Sequence, residues 1–229
     1  MKLYRLLYLS IAFLFASCHV KTESSTFTTP SPATSTSTSI NIKPSITEKW
    51  LPISDFSEER TETITHIVIH FISNAVANPQ NPHDIEDAYN ILKNTGVSTH
   101  FIIDREGEIF QLIPTDRVAW HAGKGKWNES KAYSNRMNHY SIGIELLGIG
   151  TKEEMSLYLH ESDYNLIAEK DKGFTVVQYA ALSELIKSLV AEYPTIPLDR
   201  NHIIGHDEYS ASKTDPGSLF DWNRLDIWK

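Results

Sequence analysis

His206, Lys213 and Asp215 stand in one short segment, 201–217, whose other residues are mostly turn formers (Asn-His-Ile-Ile-Gly-His-Asp-Glu-Tyr-Ser-Ala-Ser-Lys-Thr-Asp-Pro-Gly). A histidine, a carboxylate and a cation on one loop are what a metal-assisted hydrolase needs: donors for the ion and a group to receive developing negative charge. Pro216 crowds Asp215 out of the helical region. In extended backbone, residues two apart point the same way, so Lys213 and Asp215 are expected to face one site. A solvated turn with a surface Lys–Asp pair accounts for the same residues, and the segment alone does not separate the two readings.

Three further residues could join such a site. His70 lies in the apolar run His66–Ile72, where a packed core histidine is the alternative to a ligand. His66 shares its face but sits about 13 Å away along an unbroken strand, so both cannot bind one ion. His70 is nearer the C-terminal end of that strand, where sheet-based sites gather. Glu145, in Ser141-Ile-Gly-Ile-Glu-Leu-Leu147, has apolar neighbours on both sides. A carboxylate there is costly unless paired, hydrogen-bonded or protonated, which leaves two readings: a general base with a raised pKa, or a structural salt bridge. His121, in Ala119-Trp-His-Ala-Gly123, is flanked by small residues that let a ligand approach. His19, His83, His139, His160 and His202 read as ordinary surface or packing histidines. No HExxH, Gly-rich phosphate loop, CxxC or G-x-S-x-G turn competes. Two imidazoles and one carboxylate leave a fourth tetrahedral position open, and zinc, one per chain, is the metal such a set favours.

The elements that must position these residues are legible in outline. His66–Ile72 and Tyr140–Leu147 read as buried strands, and Ile203–Gly205 as a short strand running into a loop. Ser98–Asp104 and Glu108–Leu112 form a hairpin around Arg105-Glu-Gly107. Asp84–Asn94 has helical spacing, with Gly96 as its C-terminal cap. Thr175–Tyr193 opens on a Thr175/Gln178 capping box, stops at Pro194, and offers Val177, Ala181, Leu185, Ile186 and Leu189 as its buried stripe. Thr151–Gly173 is charged and weakly patterned, and reads as a surface excursion. The layout is α/β: a central mixed β-sheet flanked by helices in a single domain.

Bulk properties bound the partners. The chain has 229 residues and a formal net charge of −8, which argues against nucleic acid. Residues 1–18 carry Lys2 and Arg5, then an apolar run, then small residues ending at the lone Cys18. That pattern is a secretory signal peptide, too short for a spanning helix. The ending Phe15-Ala-Ser-Cys18 resembles a bacterial lipobox, with Phe15 where leucine is usual. A lipid anchor at Cys18 is therefore expected, with plain secretion the alternative. Residues 19–47 are rich in Ser, Thr and Pro and read as a disordered tether; the folded domain is placed at 48–229. His19 is not the aspartate that retains lipoproteins at the inner membrane, so an outer-membrane lipoprotein facing the periplasm is expected, as a monomer.

At this point the residues carry a resemblance. Ile67-Val-Ile-His70, Val97-Ser-Thr-His-Phe-Ile-Ile-Asp104, Ala119-Trp-His-Ala-Gly123, Ser141-Ile-Gly-Ile-Glu145, Ile204-Gly-His206 and Lys213-Thr-Asp-Pro-Gly217 occur in the order seen in zinc-dependent N-acetylmuramoyl-L-alanine amidases. More narrowly, the chain resembles the type 2 amidases, which include anhydro-muropeptide amidases and peptidoglycan recognition proteins. The resemblance covers about 64–222. It implies zinc held by His70, His206 and Asp215, Glu145 as acid and base, Lys213 as oxyanion stabiliser, and His121 lining the substrate cleft. Some relatives have a tyrosine before the histidine of the Ser98-Thr-His100 stretch. Thr99 stands there, so Glu145 is expected to carry that role and His100 to pack. Two rivals remain: a peptidoglycan-binding module that does not cut, and a zinc hydrolase of another peptidoglycan amide.

Overall fold

The computed structural model describes residues 44–228. The expected signal peptide, the Cys18 anchor and the tether up to residue 43 lie outside the described residues. Among the described residues there are eight strands: β1 Ile46–Glu48, β2 Ser57–Glu59, β3 His66–Ile72, β4 Phe101–Ile103, β5 Ile109–Gln111, β6 Arg117–Ala119, β7 Ser141–Leu147 and β8 Ile203–Gly205. Six of them form one sheet in the order β1-β5-β4-β7-β3-β8, while β2 and β6 pair separately. Within the large sheet β4 and β5 are antiparallel and every other pairing is parallel, so the sheet is mixed as expected.

Strand alternation divides this sheet into two chemically different faces. Ile67 and Ile69 of β3, Ile142, Ile144 and Leu146 of β7, Phe101 and Ile103 of β4, and Ile203 of β8 point to one side. They pack there against Tyr179, Leu182, Leu185, Ile186 and Leu189 of the helix Val176–Glu192. The opposite face carries His66 and His70 in register with Ser141 and Glu145. Part of it is covered by the helix Ile85–Thr95, whose Ala88 and Leu92 pack with Ile102, Leu112 and Leu147. Asp84 caps that helix by accepting from the Glu86 and Asp87 N–H groups, and Gly96 ends it at φ 72°. The left-handed conformation there favours glycine.

Three expectations are corrected. Ile46 and Thr47 belong to β1, not to a tether: they pair in parallel with Ile109 and Phe110. Backbone hydrogen bonding rather than burial makes this strand, since all three residues are exposed, and composition carries no signal for it. The helix Val176–Glu192 has the expected capping box, but Val177 is 49% exposed and Gln178 is fully buried. The Gln178 side chain caps Thr175 through Oε1 and donates from Nε2 to the Ile103 and Leu147 carbonyls, at 3.3 and 3.0 Å. One buried amide therefore joins the helix start to β4 and β7. Finally, 151–173 is not only surface: two short helical turns bury Met155, Leu159, Tyr164 and Ile167 with Ala75 and Ile149 as a satellite core.

Candidate active site

His70 from the end of β3 and His206, the first residue after β8, converge with Asp215. Their approaching atoms form a small triangle: His70 Nδ1 to His206 Nδ1 is 3.0 Å, His70 Nδ1 to Asp215 Oδ2 2.9 Å, and His206 Nδ1 to Asp215 Oδ2 3.0 Å. Both histidines are buried and Asp215 is nearly so. Their chemistry fits a cation. His206 Nε2 lies 3.0 Å from the Ala122 carbonyl, which can only accept, so a neutral His206 spends its proton there and turns a lone pair inward. One carboxylate oxygen and two ring nitrogens brought this close suit a shared cation, whether a proton on a ring nitrogen or a metal ion among all three. Tetrahedral zinc with bonds of about 2.0–2.1 Å places its donors about 3.3 Å apart, close to the edges observed. Among the described residues, His70, His206 and Asp215 are the group positioned to hold a metal ion.

The rest of the site surrounds this triangle. Glu145 lies directly across from His70 in the β3–β7 register and is 8% exposed. Its Oε2 is buried without a hydrogen-bond partner, which removes the salt-bridge reading. Burial, reinforced by the nearby Asp215 carboxylate and opposed by Lys213, pushes its carboxyl well above the ordinary carboxylate range. A buried carboxyl poised to exchange a proton is what acid–base chemistry uses. Burial, then the neighbouring His206, lowers His70 to about 4, so it is neutral and able to ligate at physiological pH. Lys213 lines the same cavity as Asp215, as the extended segment predicts. Among the described residues its ammonium has no ion-pair or hydrogen-bond partner, leaving it available to an incoming anion. The cavity is about 470 Å³. It is lined by His70, His121, Glu145, His206, Lys213 and Asp215 together with apolar residues that include Val76, Ile91 and Val97.

Each ligand is braced locally. The His206 turn is held by Glu208, which accepts from Gly205 N–H at 2.6 Å and from the Arg200 guanidinium at 2.7 Å on both oxygens. Arg200 in turn stacks on Trp222, 3.3 Å from the ring centre. The Asp215 loop is pinned by Asp207 N–H on its carbonyl at 2.8 Å. Glu154 adds a second anchor, accepting from Ser218 N–H through Oε1 and from Thr151 N–H through Oε2, both at 2.7 Å. The Asp215–Pro216 peptide is cis.

A family model described as N-acetylmuramoyl-L-alanine amidase matches residues 60–218. The chain belongs to this amidase family. The 1,6-anhydro-N-acetylmuramyl-L-alanine amidase AmpD of Salmonella typhimurium is 36% identical over 130 residues, 56% of this chain and 55% of the relative. The N-acetylmuramoyl-L-alanine amidase AmiD of Escherichia coli is 27% identical over 167 residues, 69% of this chain and 51% of the relative. The chain thus spans about half the length of the curated relatives it matches. A crystal structure of a selenomethionine AmpD derivative superposes with TM-score 0.54 at 28% identity, covering 78% of this chain and 92% of that one. AmiD in complex with anhydro-N-acetylmuramic acid-L-Ala-D-gamma-Glu-L-Lys gives 0.52 at 26%, covering 73% and 59%.

Within this amidase fold, the residues singled out from sequence divide. His70, His206, Asp215, Glu145, Lys213 and His121 come together, while His66 packs at the other end of β3 against Tyr133 and His202. Thr99 is buried and is absent from the residues lining the cavity. His100 packs as expected, accepting from Gly143 N–H at 2.9 Å and reaching the Arg117 carbonyl at 3.1 Å. His121 does line the cavity, but both its ring nitrogens meet protein atoms: Nδ1 is 3.0 Å from His70 Nε2 and Nε2 is 3.2 Å from Ser141 Oγ. Sequence reasoning missed Ser141, Asn138 and Glu154. A signal existed for the first of these: Ser141, Gly143 and Glu145 alternate along one strand and so must share the face that carries the site.

Proposed function

We propose that this chain hydrolyses the amide between N-acetylmuramic acid and L-alanine in peptidoglycan or muropeptides, with one zinc ion held by His70, His206 and Asp215. The observation that carries this reading is the donor triangle of His70, His206 and Asp215 in one cavity with a buried Glu145 carboxyl whose Oε2 has no hydrogen-bond partner. When bound, zinc supplies a Lewis acid for the carbonyl and lowers the pKa of water. Glu145 accepts the proton of the attacking water and returns it to the departing alanine nitrogen, tasks suited to a carboxyl with a raised pKa. Lys213 lies where an ammonium can meet the negative charge on the carbonyl oxygen. The bond cut in the named relatives and the anhydro-muropeptide seen bound to AmiD support this substrate class.

For placement in the cell, the proposal is an outer-membrane lipoprotein, anchored through Cys18 and working as a monomer on the periplasmic side. Metabolic labelling with a lipid analogue, lost in Cys18→Ser, tests the anchor. The activity is tested with the full-length chain in detergent, incubated with sacculi and with anhydro-muropeptides, with and without a chelator, and read by mass spectrometry. Free stem peptides beginning with L-alanine, lost on chelation and restored by zinc, are expected. Cleavage at another amide would reassign the bond. Sacculus binding by zinc-loaded protein without any product would make the chain a recognition module.

A further inference from the structure

Two histidines of the triangle must each turn an unprotonated Nδ1 inward, and a free imidazole prefers neither arrangement strongly enough to ensure it. The structure contains one element that touches the outer nitrogen of both. Ala122 places its carbonyl 3.0 Å from His206 Nε2, and His121 places Nδ1 3.0 Å from His70 Nε2. Asn138 clamps this dipeptide: its Oδ1 accepts from the His121 N–H at 3.1 Å and the Ala122 N–H at 2.7 Å.

We propose that the dipeptide His121-Ala122, clamped by Asn138 and oriented by Ser141, sets the tautomers of both metal-binding histidines. The inference rests on the metal-site reading given above. The direction of the hydrogen bonds is read from the Ser141 end, and it runs against the Asp215 carboxylate, an acceptor 2.9 Å from His70 Nδ1 that competes for the same proton. The Met137 carbonyl can only accept, and Ser141 Oγ lies 2.7 Å from it, so the hydroxyl proton points there. Ser141 Oγ then offers a lone pair to His121 Nε2–H at 3.2 Å. A neutral His121 protonated at Nε2 has a bare Nδ1, which accepts from His70 Nε2–H. His70 is left with its lone pair on Nδ1, inside the triangle. On the other branch the Ala122 carbonyl does the same for His206 directly.

The site is shaped for this arrangement. Gly143 sits between Ser141 and Glu145 on the same face of β7, and a Cβ there would come within 2.5 Å of His121 Cγ. The glycine is therefore the slot in which the His121 ring lies flat enough to span Ser141 and His70. His121 and Asn138 act here as positioning residues. Outer partners of this kind fix ligand orientation and raise ligand basicity in metal sites generally.

The test is long-range ¹H–¹⁵N correlation of the imidazole nitrogens in the zinc-free, full-length chain. His70, His121 and His206 are all expected as Nε2–H tautomers. A proton on His121 Nδ1 overturns the relay, whatever the activity proves to be. Zinc affinity by chelator competition supplies the second arm. Ser141→Ala and Asn138→Ala should each bind zinc ~10–100-fold more weakly. Ser141→Thr, which keeps the hydroxyl, should recover most of the loss. Wild-type affinity in Ser141→Ala, or no recovery in Ser141→Thr while the Nε2–H pattern of His121 persists, would refute control through Ser141. Failure of the wild-type chain to bind zinc would instead remove the metal reading, and the tautomer spectrum would still judge the hydrogen-bond order.

Discussion

Replacing Glu145 by glutamine separates the chemical role of this residue from every structural one. The amide matches the carboxyl in shape, fits the same pocket between β3 and β7, and cannot ionise or carry a proton between water and the leaving nitrogen. Glu145 is outside the donor triangle, so zinc binding should persist at wild-type stoichiometry. General acid–base catalysis is worth about 10²–10⁴ in rate, so Glu145→Gln should lose about 3–5 kcal/mol of transition-state stabilisation, seen in kcat rather than KM. Stability should move the other way. The folded-state carboxyl is raised by burial first and by Asp215 next, so the native metal-free protein holds this proton more tightly than the unfolded chain. Stability contributed by that proton is lost as pH rises above the ordinary carboxylate pKa. Removing the ionisable group should therefore raise the Tm of the metal-free protein, and the gain should grow between acidic and neutral pH. The assay pairs muropeptide turnover with zinc content and with thermal unfolding in chelator across that range. A zinc-replete Glu145→Gln enzyme turning over within about threefold of wild type would refute the acid–base assignment.

Three further outcomes follow from the same geometry. Asp215→Ala removes the only anionic donor and should weaken zinc binding beyond the ~10–100-fold typical of outer-sphere changes, measured by chelator competition. Lys213→Ala should keep zinc and lower kcat by about 10²–10³, the size of an oxyanion donor; unchanged turnover would dismiss that role. Burial lowers His66 to about 4 and His100 to about 3, so the folded protein holds both neutral while the unfolded chain takes up protons below about pH 6.5. Their stabilisation is complete above that pH and is lost as pH falls toward 4, each contributing up to about 1.4 kcal/mol per pH unit. Denaturant titrations of His66→Gln and His100→Gln should show a correspondingly shallower acid limb.

Residues near one another in the chain were largely readable. β3 and β7 announced themselves by unbroken apolar runs, the Arg105-Glu-Gly107 turn by its glycine, the first long helix by its spacing and Gly96, and the second by its Thr175 capping box. Spacing also placed Lys213 and Asp215 on one site, because extended backbone repeats every two residues. The buried side of the helix Val176–Glu192 was harder. It begins Val-Val and is apolar round much of its circumference, so periodicity could not set its phase, and Gln178 rather than Val177 turned inward.

What the sequence by itself determined is therefore the local and the chemical: element types, caps, the family's ordered motifs, and six residues able to form a hydrolytic site. What only the tertiary structure decided is which atoms meet. His70 and His206 are 136 residues apart, and only the parallel pairing of β3 with β8 brings them to one end of the sheet. That same folding made His121, which lines the cleft as expected, a partner of His70 as well, and joined β1 to the sheet without any apolar signal. The physical reason is common to these cases. Hydrogen bonds between distant segments depend on relative placement to within a few tenths of an ångström, and residue type and spacing specify direction along an element but not distance between elements.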